Sequence, residues 1–224
     1  MRMISWWTVL PLATVAWAFW VVLSSSRWIV DIGISMRSDL AVAPEAQQDV
    51  DDYLRRGFSL VGSSDVATGG HDTIFSYLLS ADRRTYAVAT DKVRCVTSAF
   101  GERVMVSISH AATPVPPLEL RQRVVTRGVD ELLVAHEAAL AVLAGHGVQP
   151  DSLRPERVAP FSMWIDRVSM EHVVGHKVEF GLAMLWRTFS LPPRNASLIK
   201  ADRRTAERIE RWMVSAIPTA KSSL

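Results

Sequence analysis

A run of 24 residues without a single charge, Met3 to Ser26, constrains this chain more than any other feature. The stretch ISWWTVLPLATVAWAFWVVLSSS is dense in Val, Leu, Ala and Trp, and a helix needs only about 20 apolar residues to cross a hydrocarbon core of about 30 Å. Five of the eight tryptophans fall in the first 28 residues: Trp6, Trp7, Trp17, Trp20 and Trp28. Trp7 and Trp28 are 21 residues apart, about 31 Å along a helix, which sets an indole at each headgroup layer. A cleavable signal peptide carries a shorter apolar core, roughly 7–15 residues, and a core helix of a water-facing domain would show a polar side. The run therefore predicts a single-pass transmembrane helix over 1–28, with the lipid bilayer as its partner. Orientation stays open. Arg2 and the α-amino group on one side are balanced by Arg27 and Arg37 on the other, so the positive-inside rule leaves the side of the C-terminal domain undecided.

Beyond the anchor there is room for one domain, since the whole chain is 224 residues. The 25 Lys+Arg nearly cancel 23 Asp+Glu, for a net charge of +2. No basic block of the kind that binds nucleic acid is present, so none is expected as a partner. The lone cysteine, Cys95, excludes an intramolecular disulfide and any multi-cysteine metal site. Its place in an alternating run predicts a small buried hydrophobe.

Residues 29–43 read as a juxtamembrane linker, 44–194 as an α+β domain, and 195–224 as a C-terminal amphipathic helix and tail. Pro44 opens a helix, PEAQQDVDDYLRR, and Gly57 closes it. Val50 and Leu54 with Tyr53 form its inward face, whereas Glu45, Asp49 and Asp52 read as a solvated acidic face. From Phe58 to Ser109 the period changes to two: FSLVG, TIFSYLL, TYAVAT, VRCVTSA and RVMVSIS are rich in β-branched and aromatic residues. Turn-like pieces, among them SSDVATGGHD, separate them. The pattern predicts a small antiparallel meander of four to five strands flanked by helices, ended by the three prolines of ATPVPPLEL. Asp130 is placed to cap DELLVAHEAALAVLA, whose Leu133, His136, Leu140 and Leu143 share one face. A long helical stretch runs from Pro160 to Leu191. Ser197 is then placed to cap a last helix with Ile209, Met213 and Ala216 on its apolar stripe. There, Glu207 and Arg211 have the favourable i, i+4 order, so that helix's charges are expected to pair mostly with one another. Within FGLAMLWRTFSL, Trp186 beside Arg187 supports two readings: a helix lying in a headgroup layer, or a core helix.

Chemistry is thinly signalled. His172 and His176 at i, i+4, with Glu179 one turn on, are the best metal-ligand constellation. The zinc-hydrolase pattern, however, needs Glu directly after the first His, and Val173 stands there. His136 is expected on the core side of its helix with its ring bonded to a carbonyl. Gly57-Phe58-Ser59-Leu60 lacks the closing glycine of a nucleophile elbow, since residue 61 is Val. Ser197-Leu198-Ile199-Lys200 matches S-x-x-K without its companion motifs. No Gly-Lys-Ser/Thr loop exists, and no cofactor is expected.

Leu54-Arg55-Arg56-Gly57-Phe58, the spacing Leu132 to His136, and Leu185-Trp186-Arg187 together resemble a group of uncharacterised bacterial single-pass membrane proteins. In these an apolar N-terminal segment precedes a helix ending near LGF, a small sheet, a helix with LxxxH and a Trp-bearing amphipathic stretch. The resemblance spans most of residues 50–195 and implies this architecture, with no activity attached. It places the chain in the bacterial inner (plasma) membrane. The expected function is that of a non-catalytic interaction, assembly or accessory protein of the cell envelope, with a protein partner or a second copy of itself. The alternatives are a membrane-tethered metal-dependent hydrolase using His172 and His176, and a membrane-anchored ligand sensor.

Overall fold

The fold is given by a computed structural model that describes residues 33–37, 39–68, 71–91, 93–109, 115–126, 128–176, 195 and 197–215, with Trp17 and Trp20 as two further helical positions. It is α+β. Seven strands form one sheet in the order of the chain: β1 (Gly33–Met36), β2 (Ser59–Thr68), β3 (His71–Leu79), β4 (Tyr86–Ala89), β5 (Arg94–Phe100), β6 (Arg103–Ile108) and β7 (Glu119–Arg123). The first six are antiparallel neighbours, as short connections dictate. Strand β7 lies parallel to β6, with Val104 opposite Glu119 and Ile108 opposite Arg123.

Alternation along each strand divides the core in two. On one face Leu78, Ala87, Ala89 and Val96 pack against α1 (Gln47–Arg55) and α2 (Val129–Gly145). Met105 and Leu120 extend that face toward α2 and α4 (Arg203–Val214). On the other face Tyr77, Leu79, Tyr86 and Val88 meet Val158 and Ala159 of α3 (Pro155–Gly175), and Val104 and Val106 meet Ile165 and Val168 of the same helix. A register shift between Leu60 and Gly62 in β2 brings Gly62 under α3. A Cβ there would stand 3.4 Å from that of Ala159, so glycine permits the close approach.

Seven strands replace the four to five expected. One extra strand, β1, lies in the stretch read as a linker, and β7 lies beyond the point where the prolines were expected to end the sheet. The supposed turn SSDVATGGHD is mostly strand, and its serines find partners in the sheet and just beyond β1: Ser64 Oγ lies 2.8 Å from Tyr77 Oη, and Ser63 donates to Asp39 O at 2.6 Å.

Helix termini differ from expectation for similar local reasons. A 3-10 turn, Pro44–Ala46, leads into α1, and Gly57 follows with φ 82° as expected of a helix-stopping glycine. Val50 and Tyr53 point inward from α1 while Leu54 is exposed. Asp49, read as solvated, is buried against Arg94, Nε to Oδ2 2.7 Å. Gly128 precedes α2 in place of an Asp130 cap, and Asp130 pairs instead with Arg56. Helix α3 starts at Pro155, five residues earlier than expected, with Pro160 inside it, and its regular part ends at Gly175. Asp202, not Ser197, caps α4 by accepting from Thr205 N at 2.7 Å. The buried stripe of α4 is Thr205, Ile209 and Trp212, with Met213 exposed.

Among the described residues no helix is long and apolar enough to cross a membrane. The anchor expected over 1–28 lies outside them except at Trp17 and Trp20, both exposed. Trp6, Trp7, Trp28, Glu179, Trp186 and Arg187 also lie outside the described residues.

Candidate functional site

Three polar constellations interrupt the apolar packing. The first is centred on His136, on the core side of α2 as expected. Its ring meets two serines and not a carbonyl: Nε2 is 3.0 Å from Ser98 Oγ and Nδ1 is 2.9 Å from Ser107 Oγ. Gln122 donates to Ser107 Oγ at 2.8 Å and to Ala135 O at 2.9 Å, and its Oε1 accepts from Ile199 N at 3.1 Å. Thr85 Oγ1 lies 3.1 Å from Ser98 Oγ. One consistent proton order runs Gln122 to Ser107, Ser107 to Nδ1, Nε2–H to Ser98 and Ser98 to Thr85. Burial pushes the His136 pKa down to about 3, so the ring is neutral. Ser98, Ser107, His136 and Gln122 are all buried. A Ser–His contact closed to solvent, with a second serine where a carboxylate would orient the base, ties β5, β6, β7 and α2 together and has no room for a substrate.

The second constellation lies between the sheet and α3. Glu119 and Arg121 on β7 form a two-pronged ion pair, with Arg121 Nη2 2.7 Å from Glu119 Oε2, and both side chains are largely buried. Asp166 of α3 is half-buried, but its carboxyl is desolvated and faces Glu119, which pushes its pKa up to about 7 against the pull of Arg121. Cys95 projects to the same face, 3.3 Å from Thr97 Oγ1. Desolvation pushes its thiol up to about 12, which makes it a poor nucleophile; the residue is half-buried at the edge of the core and not fully buried as expected.

The expected metal ligands come together only in part. The His172 and His176 rings have centroids 4.1 Å apart, but His176 has left the helix and its Nδ1 lies 2.8 Å from His172 O. Among the described residues no third His, Cys, Asp or Glu joins them to form a metal-holding group.

The third constellation has no counterpart in the sequence reading. Helix α4 lies along the outer edge of β7: Trp212 Nε1 donates to Leu118 O at 2.9 Å, Arg208 Nη2 to Arg121 O at 3.0 Å, and Ser215 Oγ to Pro117 O at 2.9 Å. A helix so placed shields a strand edge from pairing with another chain. Between α4 and the proline-rich approach to β7 opens a cleft of about 550 Å³. Val115, Pro116, Pro117 and Trp212 give it apolar surface, and its charged lining is Arg208, Arg211 and the ion-paired Glu119 and Arg121. Among the described residues, the expected pairing of α4's charges holds only for Arg203 with Glu207, Nε to Oε1 3.0 Å. Arg211 Nε bonds the backbone oxygen of Glu207 at 3.2 Å, and Arg208 Nη1 bonds Ser197 O at 3.0 Å. Neither has a carboxylate partner among the described residues. Burial, and then the neighbouring Arg211, lower the Arg208 pKa against a smaller upward pull from Asp202.

Compared with known protein families, curated proteins and solved structures, the chain matches none.

Proposed function

We propose that this chain is a single-pass protein of the bacterial inner membrane whose α+β domain binds a partner protein and does no chemistry of its own. The observation that carries this reading is the uncharged run Met3–Ser26 standing seven residues ahead of an edge strand, β1, which among the described residues pairs only with β2. At β1 both Ser35 and Met36 are exposed. An open strand edge presents unpaired N–H and C=O groups that an extended segment of another chain can complete, whereas the β7 edge is already covered by α4. The two most reactive-looking groups support the same reading, since His136 is saturated by serines and the Cys95 thiol is held protonated.

Two measurements on the full chain in its cell test the proposal. Alkaline carbonate should leave the protein in the membrane pellet, and deletion of residues 3–26 should release it. A photo-crosslinking amino acid at Ser35 should give one discrete adduct that the same group at Arg203 does not give. An adduct of twice the chain mass would make the partner a second copy. Carbonate release of the intact chain would remove the anchor. Absence of any Ser35-specific adduct would remove the partner at β1.

A further inference from the structure

We infer that the cleft between α4 and the approach to β7 binds an anionic amphiphile: a phosphate or carboxylate head on an apolar body. The cleft stands at the opposite edge of the sheet from β1 and owes nothing to a partner there. Two guanidinium groups, Arg208 and Arg211, line it, and Arg211 disfavours the charge on Arg208; neither forms an ion pair with a carboxylate among the described residues, and Asp202 offsets only part of that repulsion. The nearby Arg121 is already taken by Glu119.

The donor arithmetic is specific. Arg208 spends its two terminal nitrogens on Ser197 O and Arg121 O, which fixes the guanidinium plane in the wall and leaves Nε without a partner among the described residues. Arg211 spends only Nε, on Glu207 O, and keeps both terminal nitrogens. Two free parallel N–H groups of one guanidinium match two oxygens of a carboxylate or phosphate. The same cleft is lined by Val115, Pro116, Pro117 and Trp212, surfaces that gain from covering an apolar group and gain nothing from a bare inorganic ion. Trp212 cannot turn to bind the head, because its indole N–H is committed to Leu118 O. The cleft thus combines free guanidinium donors with apolar surface, and an occupant that uses both carries an anionic head and an apolar body.

Calorimetric titration of the full chain, reconstituted in phosphatidylcholine nanodiscs, tests this with n-butyl phosphate, which is too short to partition into the disc, and with inorganic phosphate. Butyl phosphate should bind saturably, one per chain and about tenfold more tightly than inorganic phosphate. Arg208 is built into the wall, so the informative variant is Arg211→Gln, which should raise the Kd for butyl phosphate about tenfold. Arg203→Gln, whose guanidinium is paired with Glu207 outside the cleft, should leave it unchanged. Discs containing phosphatidylglycerol separate the sources of the ligand. Competition with butyl phosphate assigns the site to a lipid headgroup, and lack of competition assigns it to a soluble amphiphile. No saturable binding, equal affinity for the two phosphates, or an Arg211→Gln variant that binds like the parent would each overturn the inference.

Discussion

Two buried tyrosines differ in one respect that stability measurements can read. Tyr53 is fully buried beneath α1, in a tilted contact with Phe58 at 5.3 Å, and its hydroxyl has no hydrogen-bond partner among the described residues. Tyr86 is equally deep on the opposite face, but its hydroxyl bonds Ser162 and Thr97. An unsatisfied buried hydroxyl carries a desolvation cost of about 1–3 kcal/mol, whereas a made hydrogen bond contributes about 1 kcal/mol. Tyr53→Phe should therefore raise unfolding stability by about 1 kcal/mol, while Tyr86→Phe should lower it by a similar amount. Urea denaturation of both variants reads the pair, and a loss of stability in Tyr53→Phe would contradict the first half. At this scale the sequence is legible for what is buried and silent on pairing. Spacing within α2 puts His136 on the core side, but nothing local announces Ser98, Ser107 and Gln122, which arrive from three different strands. Asp49 misleads because helical spacing with Glu45 and Asp52 suggests a solvated face, and only the approach of Arg94 from β5 reverses that.

Helix α3 crosses the sheet where β2 offers no side chain, and that fixes a size limit at one position. The Gly62 site admits a methyl at 3.4 Å from Ala159 Cβ, an ordinary contact, but a branched side chain would meet α3 and Tyr77 together. Gly62→Ala should be nearly neutral, whereas Gly62→Val should cost about 1–3 kcal/mol by overpacking, in spite of valine's preference for strands. Urea midpoints of the two variants check this, and equal stability would show that α3 is free to lift. Elements with a strong period are legible: α1, α2 and strands β3 to β6 lie close to where alternation and 3.6-residue spacing put them. Strand β1 is not, because GISM is only four residues long and comes after a long apolar segment. Strand β7 is not, because ELRQR alternates charge with Leu120 and buries its Glu119 and Arg121 as an ion pair, contrary to the usual apolar signal. The arginine cleft is hidden for a related reason. Helical spacing predicts Glu207 with Arg211, but the Glu207 carboxylate turns to Arg203 at the other end of the turn, leaving the terminal nitrogens of Arg211 without a carboxylate among the described residues.

For the molecule as a whole, two buried groups of opposite kind oppose each other in pH. His136 titrates at about 3 in the fold and at 6.5 ordinarily, so between those values the unfolded chain holds one more proton and stability is lost as pH falls. Asp166 titrates at about 7 in the fold and at 3.8 ordinarily, so over its window the folded chain holds one more proton and stability is lost as pH rises. Between 3.8 and 6.5 the two slopes, each at most about 1.4 kcal/mol per pH unit, cancel. The exposed acids whose pKa is lowered, Asp39, Asp130 and Asp202, act below that range, and the raised tyrosines and Cys95 act above it. Around Asp166 the charged neighbours are Glu119 and Arg121 of β7, and around His136 there is no charged group among the described residues. The parent chain should thus show a nearly flat stability profile across this interval. Asp166→Asn removes one side of the balance and exposes the histidine alone. Its unfolding free energy in urea should rise by about 2 kcal/mol between about pH 4.5 and about pH 6, where the parent's hardly changes. A variant as flat as the parent would mean that neither group is shifted in the fold, whereas a parent that rises as steeply as the variant would mean that Asp166 is ionised there and that α3 does not seal the sheet beneath it.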